Sequence, residues 1–237
     1  MTADSTADPT ADAPSGRSLP TQAQVRAGAG TYTRPVLAWY DLFVLGFVCP
    51  VVWRCHRSVM VKAYDSNVGA HHLDLGPGTG FFLDRCHFPT DRPRIALVDL
   101  NQGVLDRAAG RVARYRPVVY RRDVLQPLDL GPELFDSVAM NFLLHCLPGG
   151  MAHKATVIDH VLPYLRPQGR VFGSTVLAHG VQHGPLAGRA LESLNKDETL
   201  HNADDTLDQL DAELARRFTD YRLTSRGSVA FFEATAP

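Results

Sequence analysis

Apolar and polar positions change rhythm several times along the chain. HHLDLG (71–76), RIALVDL (94–100), VVYRRDVL (118–125), FDSVAMNFLL (135–144) and GRVFGSTVL (169–177) are short apolar or β-branched runs that predict strands. Between them FFLDRC starts a helix, and VLDRAAGRVARY (104–115) repeats apolar residues at helical spacing. MAHKATVIDHVLPYL (151–165) sets Val157, Val161 and Leu165 on one helical stripe, with Pro167-Gln168-Gly169 as punctuation behind it. Residues 185–196 predict another helix. Leu207, Leu210, Leu214 and Phe218 form the apolar face of the next, and Thr206 with Gln209 has the spacing of a capping box. Arg226-Gly227-Ser228 is a turn signal inside YRLTSRGSVAFFEATA (221–236), so the chain closes with an antiparallel hairpin. Strands separated by helices predict a doubly wound α/β fold, its sheet mostly parallel and its crossovers right-handed. Such sheets bind ligands beyond the carboxyl ends of their strands, where the strand order reverses.

The first part of the chain follows other rules. Residues 1–24 are rich in Thr, Ala, Asp and Pro, with almost no large apolar side chains, which predicts a disordered tail. Residues 25–237 then form one domain: a helical lid over 25–65 and an α/β core over 66–237. Residues 31–63 hold Tyr32, Trp39, Tyr40, Phe43, Phe47 and Trp53, and Pro35 and Pro50 break the stretch into short helices. LFVLGFVCPVVW (42–53) is too short to span a bilayer, and MTADSTADPTADAPSG lacks the basic and apolar regions of a signal peptide. Cys49, Cys55, Cys86 and Cys146 include no Cys-x-x-Cys pair and read as free thiols of a cytoplasmic protein. With 24 Lys+Arg against 25 Asp+Glu there is no basic surplus, which argues against nucleic acid as a partner. No spacing suggests metal ligands.

The chemistry concentrates in HLDLGPGTG (72–80). Gly76, Gly78 and Gly80 follow a strand and precede a helix, where glycine permits a tight turn and lets a ligand press on bare main chain. A dinucleotide site needs G-x-G-x-x-G, which brings a helix N-terminus to pyrophosphate. Here position 81 is Phe, so the spacing favours a ligand without pyrophosphate.

An acidic residue two positions before G-P-G-T-G resembles the first motif of class I S-adenosylmethionine-dependent methyltransferases, E/D-x-G-x-G-x-G, matched here by Asp74, Gly76, Gly78 and Gly80. The resemblance covers roughly residues 70–177 and implies a Rossmann-like core, S-adenosylmethionine as cofactor and S-adenosylhomocysteine as product. It implies further that Asp99, with Leu100 beside it, holds the ribose hydroxyls. Asp123 would accept from the adenine amino group, the main chain of Val124 would meet the ring edge, and Asn141 would lie near the methionine part. YDLFVLGFVCPVVWRC, LLHCLPG and NKDETLHNADDTLDQLDAEL resemble a narrower group, small-molecule methyltransferases of bacterial and fungal secondary metabolism that includes thiol-methylating enzymes. In such sequences a glycine usually stands where this chain has Glu198.

The implied reaction is in-line displacement at a sulfonium methyl, for which alignment supplies much of the acceleration. Aromatic faces seat a sulfonium without overstabilising it. Tyr40 on the cofactor side, and Tyr32, Trp39 and Trp53 on the substrate side, are candidates for that wall. Arg54 is a candidate clamp for the cofactor carboxylate. His145 is the candidate general base or substrate contact, the alternative being a histidine that orders its loop. His179 and His183 follow the fifth strand and are further substrate candidates, whereas His71-His72 belongs to the opposite end of the sheet. The acceptor is a compact small molecule with an S-, O- or N-nucleophile. Other readings are a cofactor-binding regulator or cyclase without transfer activity, a NAD(P)-dependent Rossmann oxidoreductase, and an aminopropyl transferase.

Overall fold

In the computed structural model, which describes residues 41–237, β1 (His71–Leu75), β2 (Arg94–Asp99), β3 (Val118–Arg121), β4 (Phe135–Asn141) and β5 (Leu165–Val176) pair in parallel. Tyr32, Trp39, Tyr40 and the expected tail over 1–24 lie outside the described residues. The hairpin of β6 (Tyr221–Arg226) and β7 (Val229–Thr235) completes a seven-stranded sheet in the order β3-β2-β1-β4-β5-β7-β6, with β7 antiparallel to both neighbours. Every residue of β1 is buried, as a central strand covered on both faces requires.

Helices flank the sheet. Residues Asp41–Val48 form a π-helical segment that runs into a short helix, Cys49–Val51. Then come α1 (Arg57–Asn67), α2 (Phe81–Arg85), α3 (Gln102–Arg111), α4 (Met151–Lys154), α5 (Thr156–Val161), α6 (Ala187–Lys196) and α7 (Leu207–Ala215). The capping box at α7 is present in full, with Thr206 Oγ accepting from Gln209 N and the Gln209 side chain accepting from Thr206 N. Leu210, Leu214 and Phe218 reach the core on one face of the sheet, while Leu83, Leu105 and Ala108 pack on the other. Among the described residues no helix is long and apolar enough to cross a membrane.

Three expectations need correction. The single helix expected over 151–165 is broken: Thr156 Oγ1 donates to His153 O (2.7 Å), and Pro163 sits in a terminal 3-10 turn, Leu162–Tyr164. The third strand stops at Arg121, because Asp123 folds into its own turn and accepts from Leu125 N (3.0 Å). The fifth strand begins at Leu165, so Pro167-Gln168-Gly169 lies within it, and Gln168 takes φ 62°.

Beyond β5 the chain builds a buried polar brace. Lys154, wholly buried, pairs with Asp205 and donates to His201 O (2.7 Å). Asn202 Nδ2 donates to Val176 O (2.7 Å), and Asp205 O accepts from Ala178 N and His179 N (both 3.1 Å). Residues 201–206 are thereby bound to the carboxyl end of β5.

Candidate functional site

The strand order reverses between β1 and β4, and a cleft opens at their carboxyl ends. Its floor is the loop after β1. Gly76, Gly78 and Gly80 take φ values of 64°, 55° and 73°, in the left-handed region open to glycine. A Cβ on Gly80 would stand 3.1 Å from the main chain of Ala108, so that glycine lets the loop meet α3. A Cβ on Gly78 would meet no atom within 4 Å; there the main chain is bare toward open space. Arg111 ties the loop to α3 by donating to Thr79 Oγ1 (2.9 Å) and Thr79 O (3.2 Å).

Polar groups converge on this floor from three strands. Asp99 ends β2 and lines the cleft, half-buried, with Oδ1 accepting from Asn101 N (2.7 Å). Burial pushes its carboxyl up to about 6, against the pull of the Asn101 and Leu100 amides. Asp74 is buried in β1, and its Oδ2 accepts from the Tyr64 hydroxyl (2.7 Å). Asn141 ends β4; its Oδ1 accepts from Ser174 Oγ (2.8 Å), while its buried Nδ2 has no partner. A buried amide with donor capacity left over beside a cleft can be completed by a bound ligand or water. The remaining wall is apolar, formed by Leu45, Phe81, Phe82, Phe142 and Leu143. Phe142 holds φ 54°, strained for a bulky residue, and Phe142 N donates to Ser174 O (2.8 Å).

Other expected residues stand apart from this lining. His145 is buried behind Phe142, their rings edge to face at 5.4 Å. Its Nδ1 accepts from Val176 N (3.0 Å), which fixes the Nε2–H tautomer. Burial, with the nearby Lys154 charge, holds the imidazole down at about 3. Trp53 is buried in the cluster that joins the Asp41–Val48 segment to α6, and its carbonyl accepts from Ser228 N (2.9 Å). Arg54 is exposed at φ 53°, packed against Gly184 and Gly227. His183 bridges Ala178 O (2.7 Å) and Ser228 Oγ (2.9 Å), and His179 Nε2 bonds Ala203 O (3.1 Å). Leu100 O accepts from Arg121 Nε (3.1 Å). Val124 is buried in the core, and its carbonyl bonds His160 Nδ1 (2.9 Å).

Tyr64 was not singled out from the sequence, although it lines the cleft. Its signal was the buried pair Met60 and Tyr64, spaced i, i+4 on α1, which reads only as a helix face.

A family model described as a methyltransferase domain matches residues 73–171. Over 211 residues the chain is 41% identical to demethylluteothin O-methyltransferase of Streptomyces thioluteus, covering 89% of this chain and 92% of that protein. It is 34% identical over 221 residues to the physcion biosynthesis cluster O-methyltransferase of Aspergillus chevalieri, covering 92% and 99%. The solved DhpI–SAH complex shares the fold, with a TM-score of 0.64 over 92% of this chain and 98% of that one at 13% identity. Together with the Asp74-Gly76-Gly78-Gly80 motif at the reversal point of the sheet, these likenesses place the chain in the class I S-adenosylmethionine-dependent methyltransferases that act on small molecules.

Proposed function

We propose that this enzyme methylates a hydroxyl oxygen of a compact, largely apolar secondary metabolite. The observation that carries the reading is the convergence of bare main chain at Gly78, the Asp99 carboxylate and the Asn141 amide on one apolar-walled cleft. The choice of oxygen rests on the two relatives named as O-methyltransferases.

In this reading Asp99 accepts from both ribose hydroxyls, with Leu100 alongside. Gly78 would let the thioether chain lie against the loop, and Asn141 Nδ2 would donate to the amino-acid carboxylate. The Asp123-Val124 turn flanks the adenine; its approach to the site is supported by Arg122 N donating to Asp99 O (3.1 Å). The cofactor supplies a methyl group activated by a sulfonium. The chain supplies alignment and a dry wall: Phe81, Phe82 and Phe142 exclude water and offer aromatic faces in place of anions. His145 orders the loop after β4. With Nδ1 committed to Val176 N and the ring held neutral, it has no free basic nitrogen to take a proton from an acceptor.

The test is a transfer assay with methyl-labelled cofactor against phenol or enol, thiol and amine acceptors of similar size. Label is expected in the oxygen acceptors. Label confined to thiols or amines would overturn the choice of oxygen. A protein that binds the cofactor yet labels nothing would favour a binding role.

A further inference from the structure

Methyl transfer to a hydroxyl oxygen must also shed the hydroxyl proton, and the cleft offers no uncommitted base for it among the described residues. Its titratable lining there is Tyr64, Asp99 and Cys146. The Tyr64 proton is held on Asp74 Oδ2 (2.7 Å), and the Cys146 thiol turns to Phe142 O (3.6 Å). Asp99 belongs to the cofactor in the reading above. All ten histidines of the chain lie among the described residues, and none lines the cleft. Residues 13–40, which precede the Asp41–Val48 segment, hold no Asp, Glu, Lys or His; their charged side chains are Arg17, Arg26 and Arg34.

Positive charge gathers on the same cleft instead. Phe81 lines it, and three helices bring guanidinium groups to the Phe81 ring. Arg57 comes from the start of α1 (5.5 Å from the ring centroid), Arg85 from α2 and Arg111 from α3 (both 5.9 Å). Arg111 is engaged with Thr79, whereas Arg57 and Arg85 form no ion pair among the described residues. Asp84, beside Arg85 in the chain, is taken by Arg114 (2.6 Å). A positive field from the wall of a cleft favours the ionised form of an acidic hydroxyl inside it. Resting on the reading of this enzyme as an O-methyltransferase, we propose that its acceptor is an acidic enol or phenol that enters as a preformed oxyanion, selected by Arg57 and Arg85 around Phe81. The acceptor proton goes to solvent before binding. In transfer a lone pair of the oxyanion forms the O–C bond while the C–S bond breaks and leaves its electron pair on sulfur. The charges of oxyanion and sulfonium cancel, and no base is needed.

Two phenols of similar size separate this from base catalysis: para-nitrophenol, the stronger acid, and para-cresol. At saturating cofactor, kcat/KM for each is expected to fall about tenfold per pH unit below that phenol's own pKa, so the two profiles break at different pH. An inflection shared by both would place the base in the protein and overturn the inference, as would methylation of benzyl alcohol in preference to nitrophenol. Binding is read without transfer. With S-adenosylhomocysteine present, nitrophenol bound to the parent should keep the visible absorbance of its anion below the pH at which the free phenol loses it. The double variant Arg57→Gln with Arg85→Gln should bind that anion roughly tenfold more weakly and S-adenosylhomocysteine within about twofold of the parent. Arg57→Lys with Arg85→Lys should recover most of the loss. Parental anion affinity in the glutamine variant would overturn the inference; if that variant does not fold, the two pH profiles of the parent decide. Label confined to thiols or amines would instead overturn the O-methylation reading beneath it.

Discussion

At the residue scale the most informative group is Asp99. Its carboxyl titrates near 6, above the usual value of about 3.9, because the cleft buries it. A raised carboxyl binds more protons folded than unfolded between roughly pH 4 and 6. Its contribution to stability therefore falls as pH rises through that window, and its full destabilising effect is present above about pH 6. Ligand hydroxyls that donate to Asp99 favour the ionised form, so affinity should have the opposite slope. S-adenosylhomocysteine is expected to bind with constant affinity above the Asp99 pKa and to weaken below it, by up to about tenfold per pH unit. Asp99→Asn should flatten that profile. Calorimetry across the window checks both, and a flat profile in the parent would count against ribose binding by Asp99. His145, held at about 3, stays neutral throughout and cannot produce the slope. The positions of Asp74, Gly78, Asp99 and Asn141 were legible in the sequence because each is fixed by its distance from a strand end. The bonding of Tyr64 was not, since it depends on how α1 crosses Asp74, ten residues away in the chain. Nor was the direction of the His145 ring, which a main-chain amide of the next strand decides.

At the scale of elements, strands and capped helices were readable, and their interruptions were not. Periodicity shows a stripe over 151–165 but cannot register that Lys154 is drawn inward to Asp205, or that Thr156 bonds back to His153 O. The end of α6 is the instructive case. Glu198, where the sequence resemblance implies glycine, takes φ 54° just beyond the helix. The left-handed conformation costs a side-chain-bearing residue about 1–2 kcal/mol, which glycine avoids at the expense of greater chain entropy. Glu198→Gly is therefore expected to stabilise the protein by roughly 0.5–1 kcal/mol in chemical denaturation. A destabilised variant would mean that the exposed Glu198 side chain contributes more than its backbone loses.

At the scale of the whole molecule, function follows from the sheet order. The reversal between β1 and β4 leaves their carboxyl ends uncovered by crossover helices, and the chain places its glycine loop, Asp99 and Asn141 there. The hairpin β6–β7 pairs with β5, and the brace around Lys154 ties residues 201–206 to the carboxyl end of the same strand. The most direct test is a calorimetric titration of S-adenosylhomocysteine into the parent protein and into Gly78→Ala, with folding checked by circular dichroism. The parent is expected to bind one equivalent, and the variant, with a methyl group projecting from the cleft floor, to bind at least about tenfold more weakly. No heat from the folded parent, or parental affinity in Gly78→Ala, would contradict the account.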